Sequence, residues 1–434
     1  MDELAFDFEW VSASKTGIPE HDATWADVRI AVGSDPVTQI FDTRASSVRS
    51  RLRIPLYPLA EWIATNWWFL HYEVRRTGRS TSATYDRRHN MRFAREGYAL
   101  PALLIEPQGD YTTIRWNNED LQHYDIQFMS SGTKYVKGNA FSDEIGRLLN
   151  SVEQRLEDAC VHNTLFQNEW DAIKQADDDE KAFCQAAAQL GCDPYALTQE
   201  QQQTIIQSAS AIPREIHSAF YQTADIKQLN HNVNSLKDAV ERTEQVADRA
   251  QKLHTLRHEV TVSTDELPWN VGYNYARHVR KHIGLNGQPL DSLDDVVDVF
   301  SFSDDNALNQ HRNFSEASPD LFDGLVATAN EKVGFSIKDA RDNSKKFTLC
   351  RSIFQYLTNP AQSTHLATRA LSEEQQKSRA FAAEFLAPSQ SLEQMISGPV
   401  IDENEVEDIA EHYGVSTYVV IHQLNNHKLV SNIV

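Results

Sequence analysis

Residues 345–357 read KKFTLCRSIFQYL, and residues 378–392 read SRAFAAEFLAPSQSL. In the first stretch Phe347, Leu349, Ile353, Phe354 and Leu357 recur at helical spacing, which predicts a helix packed through an apolar face. The second lies in a helix expected over residues 372–386. Two more helices are expected downstream, over 403–413 and 416–424, and each of the four starts near a Ser, Thr, Asp or Asn. Upstream, residues 269–283 and 292–299 read as helices. Residues 324–329 and 333–337 read as two short strands around an Asn330-Glu331 turn. The last third of the chain therefore mixes helix and strand.

The middle of the chain, 142–262, reads as nearly all helix, with segments at 170–176, 179–190, 198–209, 213–221 and 230–258. No apolar heptad is sustained over three or four repeats, so a coiled coil is not expected. Residues 57–77 (YPLAEWIATNWWFLHYEVRRT) form an amphipathic helix, with Leu59, Trp62, Ile63, Asn66, Trp67 and Leu70 at helical spacing. Three tryptophans on one helix read as a core element. Short β-type runs follow at 98–105, 111–116, 124–129 and 133–136, with hairpin turns expected at Gly109-Asp110 and Ser131-Gly132. A helix with an N-cap at Ser142 is expected to run to about Cys160. The reading is α+β: an N-terminal mixed domain (1–140), a helical region (141–262), and a C-terminal domain (263–434) ending in a helix-turn-helix-like pair (403–430).

The net charge of −21 argues against whole-chain attraction to nucleic acid, which draws on Lys and Arg at the phosphates. A local basic stretch, 75–95, reads as a solvated loop. No apolar run is long enough for a membrane span. The acidic start, MDELAFDFEW, lacks the features of a secretory signal. Cys160, Cys184, Cys192 and Cys350 are too few and too scattered for a disulfide framework. A cytoplasmic location is expected.

The last third resembles the ImmA/IrrE family of zinc metallopeptidases, in order as well as in residues. An entry helix (267–285, LPWNVGYNYARHVRKHIGL) is followed by a small sheet (323–339, DGLVATANEKVGFSIKD). Then come a helix after a basic-Phe-Thr element, Lys346-Phe347-Thr348, and the signature helix, of which RAFAAEFLAP is the most specific piece. The terminal pair is 403–430, ENEVEDIAEHYGVSTYVVIHQLNNHKLV. The resemblance implies a zincin-like domain, zinc as the family's metal, and cleavage of helix-turn-helix repressors of stress regulons or mobile elements.

The family's H-E-x-x-H puts two histidines on one helix face as zinc ligands, with a glutamate acting on the metal-bound water. Here the aligned residues are Arg351, Ser352 and Gln355, and the third ligand position falls at Gln375. A guanidinium has no lone pair for a cation. Glutamine is a weak ligand, and serine is no base near neutral pH. The site is therefore degenerate, with no cofactor expected. Arg351 either binds a carboxylate or phosphate bidentately or pairs with a nearby acid such as Glu384. Arg351, Gln355 and Glu384 are the candidate binding residues. His254/His258 and His278/His282 each have helical spacing but lie in polar, cationic stretches that read as exposed faces. A rearranged metal site using His365 with Glu373 or Glu374 is the enzymatic alternative. Cys350 reads as a core thiol.

In the terminal pair Gly414 is expected at the turn, Val415 between the helices and Ser416 as the second cap. The face offered to a nucleic acid is Thr417, Tyr418, His422 and Gln423. Few cations are nearby and Asp402, Glu403, Glu405, Glu407 and Asp408 lie just upstream, so a structural role is favoured over DNA binding. The leading expectation is a non-catalytic regulatory or partner-binding protein of bacterial stress response or phage and mobile-element control. Its partner is a protein: a helix-turn-helix repressor or a defence-system component. The alternatives are an active metallo-endopeptidase and a DNA-binding regulator.

Overall fold

A computed structural model describes residues 1–12, 15–76, 82–247, 249–260, 266–301, 308–311, 321–329 and 331–433. Of 308–311 and His123 it describes the backbone alone. The fold is mixed α+β. The chain divides into two compact units, Met1–Leu197 and Thr198–Val434. The helical middle is thus no unit of its own. Its helices bury their apolar faces partly in the first core and partly in the second. Residues 261–265, where the sequence reading placed a boundary, and Asn330 of the expected turn lie outside the described residues.

In the first unit, β1 (Leu4–Trp10) pairs antiparallel with β2 (Trp25–Val32), which pairs on its other edge with β3 (Leu52–Pro55). Ala26, Val28 and Ile30 alternate into the core, the two-residue period of a half-buried strand. β4 (Leu103–Pro107), β5 (Tyr111–Trp116) and β6 (Gly132–Lys137) form an antiparallel meander. Gly109, at φ +109°, makes the expected turn. The Ser131-Gly132 turn is not found. Gly132 opens a strand opposite Trp116, and an added Cβ would lie 2.6 Å from the indole Cζ2.

In place of the one helix expected over 57–77 there are two, α1 (Tyr57–Thr65) and α2 (Trp67–Tyr72). The break is at Asn66, whose side-chain amide donates to the Trp62 carbonyl. Trp62 and Trp68 are in the core and Trp67 packs at its edge. A longer helix, α3, spans Gly138–Asp158 and starts before Ser142, whose hydroxyl donates back to the Gly138 carbonyl instead of capping. The basic stretch is not a solvated loop where it is described. It contains the helix Ala83–His89, and Arg75, Arg88, Arg92 and Arg95 pair with Glu106, Glu73, Asp86 and Glu119. Its residues 77–81 lie outside the described set.

Gly146 sits inside α3 with open space where a Cβ would be. Glycine costs a helix interior about 0.5–1 kcal/mol relative to alanine. Gly146→Ala is therefore expected to stabilise the first unit by up to that amount, read as a higher urea midpoint at unchanged slope.

In the second unit, α4 (Gln199–Ala211), α5 (Leu229–Gln245) and α6 (Gln251–Glu259) lead to α7 (Pro268–His282) and α8 (Leu293–Phe300). The sheet has the order β7-β9-β8-β10, from β7 (Leu308–His311), β8 (Gly324–Ala329), β9 (Lys332–Lys338) and β10 (Thr364–Ala367). Within it β7 runs parallel to β9, and the other pairs are antiparallel. α5 lies on this sheet, and the Thr243 hydroxyl meets that of Ser336 at 2.6 Å. α9 (Asp342–Thr358) and α10 (Glu373–Leu386) cross beside the sheet, and α11 (Glu403–His412) and α12 (Thr417–Asn426) end the chain. The sequence pattern predicts one apolar face on α9. Instead every residue from Leu349 to Leu357 is buried, as expected of a helix enclosed on all sides, and Phe347 is only partly covered.

Lys346, one residue before Phe347 and 1% exposed, is the least expected part of α9. Its ammonium donates to the carbonyls of Leu290, Asp291 and Tyr413. Burial pulls its pKa down. The Tyr413 carbonyl leads into Gly414, at φ +56°, where a Cβ would sit 2.5 Å from the Asp291 carbonyl and 2.7 Å from Nζ of Lys346. One lysine thus ties α9 to the turn between α11 and α12.

Candidate functional site

Alternation along β10 sets the geometry. The carbonyls of Ser363 and Ala367 accept from Thr328 and Asp323 on the β8 side. Leu366 and Thr368, one residue out of phase, therefore point to the open edge. Side chains of α9 and α10 fill that edge. Gln355 and Gln375 both donate to the Leu366 carbonyl, at 2.9 and 2.7 Å. Gln375 Oε1 accepts from the Thr368 amide at 2.8 Å and from Arg351 Nη2 at 2.6 Å. Arg351 Nη2 also donates to the Thr368 carbonyl at 2.6 Å, and its Nε reaches the Ser378 hydroxyl at 3.4 Å. Arg351 and Gln355 of α9 and Gln375 of α10 thus meet at the backbone groups of two residues, Leu366 and Thr368.

Arg351, Ser352, Gln355 and Gln375 are all at most 4% exposed. Ser352 Oγ and Gln355 Oε1 are buried without a hydrogen-bond partner among the described residues. As a donor set for zinc the group does not fit. Arg351 offers no lone pair and Gln375 Oε1 already accepts two hydrogen bonds. Burial pulls the Arg351 guanidinium below its ordinary value, with Asp323 opposing that shift.

Glu384 does not pair with Arg351. It lies nine residues beyond Gln375 on α10, a half turn out of phase at 3.6 residues per turn. It faces Arg277 Nε (2.8 Å), the Ser389 hydroxyl (2.9 Å), Gln423 Nε2 (2.8 Å) and His427 Nε2 (3.3 Å). The His427 and Arg277 partners hold its carboxyl down at about 2 against the pull of burial. The acid beside Arg351 is Asp323, at 3.6 Å.

Gln423 is likewise removed from the expected nucleic-acid face. It follows Val420 by three residues on the inner side of α12 and is fully buried on Glu384. Thr417, Tyr418 and His422 are exposed, and the Tyr418 and His422 rings lie tilted against each other with centroids 4.1 Å apart. Ser416 caps α12 by accepting from the Val419 amide, and Val415 is buried, as the helix-turn-helix pattern predicts.

The other candidates separate. His258, His278 and His282 are exposed, His278 bonding the Asn274 carbonyl and His282 pairing with Glu259. His365 is buried and shifted down to about 4 by burial and by nearby Arg257. Glu373 and Glu374 pair with Lys377. Among the described residues no three His, Cys, Asp or Glu side chains gather as a metal site. Cys350 is fully buried, and burial pushes its thiol up to about 12. Sequence reasoning missed Lys346, Asp323 and Arg379. Lys346 was legible only as part of the basic-Phe-Thr element. Asp323 and Arg379 open two of the quoted segments, but nothing local marks their side chains as meeting.

No protein-family model matches this chain, and no curated protein matches it.

Proposed function

We propose that this protein is a non-catalytic regulatory protein that acts by binding a protein partner. The observation that carries the reading is where the side chains at 351, 355 and 375 go. At the positions where the ImmA/IrrE resemblance expects metal ligands, they hydrogen-bond to the outer edge of β10. The same bonds occupy the edge at which an extended peptide would add as a strand. The resemblance supplies the setting: control of stress responses or of phage and mobile elements, with a helix-turn-helix repressor or a defence-system component as partner. The exposed face of α12, with Thr417, Tyr418 and His422 and without a cation among them, favours a protein over DNA. Four free thiols support a cytoplasmic place of action.

The test is metal content of the purified chain by elemental mass spectrometry, beside the R351A/Q355A double variant. No stoichiometric zinc is expected in either. About one zinc per chain, as the three-ligand site of a zincin would hold, overturns the reading. Retention of that zinc in the variant would place its ligands elsewhere.

A further inference from the structure

Two guanidinium groups pair with one carboxylate just past β10, and a third shares a backbone carbonyl with one of them. Arg351 Nη1 lies 3.6 Å from Asp323 Oδ2, and Arg369 Nε lies 3.3 Å from Asp323 Oδ1. Arg379, one turn beyond Gln375 on α10, donates through Nη2 to the carbonyls of Thr368 (2.9 Å) and Ala370 (2.8 Å). The Thr368 carbonyl is the one that Arg351 Nη2 also uses, at 2.6 Å. Two cations therefore share one neutral acceptor. Arg379 Nη1 is buried and has no hydrogen-bond partner among the described residues.

This arrangement is costly by itself. Two guanidinium groups on one carbonyl repel each other, and an enclosed N–H without an acceptor loses its hydration with nothing in return. Burial and the Arg351 charge draw the Arg379 guanidinium down to about 9. The side chain of Arg369 is 45% exposed, so the cluster reaches the surface there. An oxyanion supplies what the cluster lacks, since two of its oxygens accept from a guanidinium fork in parallel and its charge offsets the repulsion.

We propose that Arg351, Arg369 and Arg379 form a binding site for an oxyanion, a carboxylate or a phosphate group. Arg379 Nη1 is its unfilled donor and Arg369 its outer rim. The proposal deepens the non-catalytic reading, because it makes the position of the expected metal a cationic recognition site for a group carried by the partner or free in solution.

The test uses the full chain at constant ionic strength, titrated separately with inorganic phosphate and with acetate against a chloride control, and read by calorimetry and by the thermal midpoint. Saturable binding of either anion is expected. A preference for phosphate points to a phosphorylated or free phosphate ligand, and a preference for acetate to a carboxylate of a peptide. Arg379→Gln should weaken binding about tenfold or more, the worth of a charge-assisted hydrogen bond. Arg369→Gln, on an exposed side chain, should weaken it while leaving the fold intact by circular dichroism. Absence of saturable binding beyond chloride overturns the proposal, as does unchanged affinity in both folded variants. Either result, with no zinc in the protein, leaves the non-catalytic reading standing. Stoichiometric zinc overturns that reading whatever the anions do.

Discussion

Glu384→Ala is expected to destabilise the C-terminal unit by about 1–3 kcal/mol, the range for leaving buried hydrogen-bond partners unsatisfied. Glu384 is 1% exposed and is the common acceptor for Arg277, Ser389 and Gln423, with His427 Nε2 at 3.3 Å. Alanine leaves the Gln423 amide buried with only the Ala387 carbonyl to accept from it, at 3.0 Å. It also leaves a cavity between α7, α10 and α12. Glu384→Gln keeps the volume but loses the charge, and should fall between the two. The pH dependence carries its own sign. The Glu384 carboxyl is held at about 2, below its ordinary 4.5, so the folded state binds the proton less tightly than the unfolded chain. The stabilisation is fully present above about pH 4.5 and is lost as pH falls through about 2. Urea unfolding at pH 7 and at pH 3 checks this: the gap between the parent and the alanine variant should narrow at the lower pH. A gap that stays constant would mean that the carboxylate acts through packing alone.

Gly272→Val is expected to cost about 3 kcal/mol or more, at or beyond the upper end for overpacking a tight site. Gly272 is in α7 where that helix crosses α10. A Cβ there would lie 2.3 Å from the Lys377 carbonyl oxygen, 2.8 Å from Ala380 Cβ and 2.9 Å from the Phe381 amide nitrogen. These are backbone and Cβ atoms of a packed helix, so no flexible side chain moves aside. The crossing would have to open, separating Tyr275 from Phe381, whose ring centroids are 6.0 Å apart. Even alanine, which gains in helix propensity, meets the same carbonyl and should be destabilising. Thermal denaturation with hydrogen exchange along 268–282 and 373–386 provides the measurement. A stability within experimental error of the parent would show that the two helices are not in close contact. Gly146→Ala is the internal contrast, the same change at a helical glycine with space above it.

Local patterns predicted the helices around residues 269–283, 292–299 and 403–424 because their caps and apolar spacing lie within one or two turns of chain. The strands 324–329 and 333–337 were legible from composition and came out antiparallel. The positions 351, 355 and 375 were singled out by spacing and by resemblance, and folding brings their side chains to one strand edge. Spacing could not say what those side chains bond. Helical phase could have warned that Glu384 is half a turn from Gln375, but its partners on α7 and α12 come from residues more than thirty positions away. The same holds for Gln423, polar by type yet buried on that carboxylate, and for Lys346, whose three carbonyl partners come from two distant loops.

The division of the chain follows the same logic. Composition marked 141–262 as a helical stretch but not which core its apolar faces would cover, since burial depends on surfaces elsewhere in the chain. By itself, the sequence determined an acidic α+β chain, its principal helices, and the absence at 351 of a lone pair for a cation, since residue type alone settles that. Only the tertiary structure decided that the guanidinium of Arg351 faces Asp323 and Thr368, that Arg379 stands beside it, and that Glu384 locks the terminal helices. Those outcomes depend on side chains meeting across long stretches of chain, where neither period nor propensity carries information.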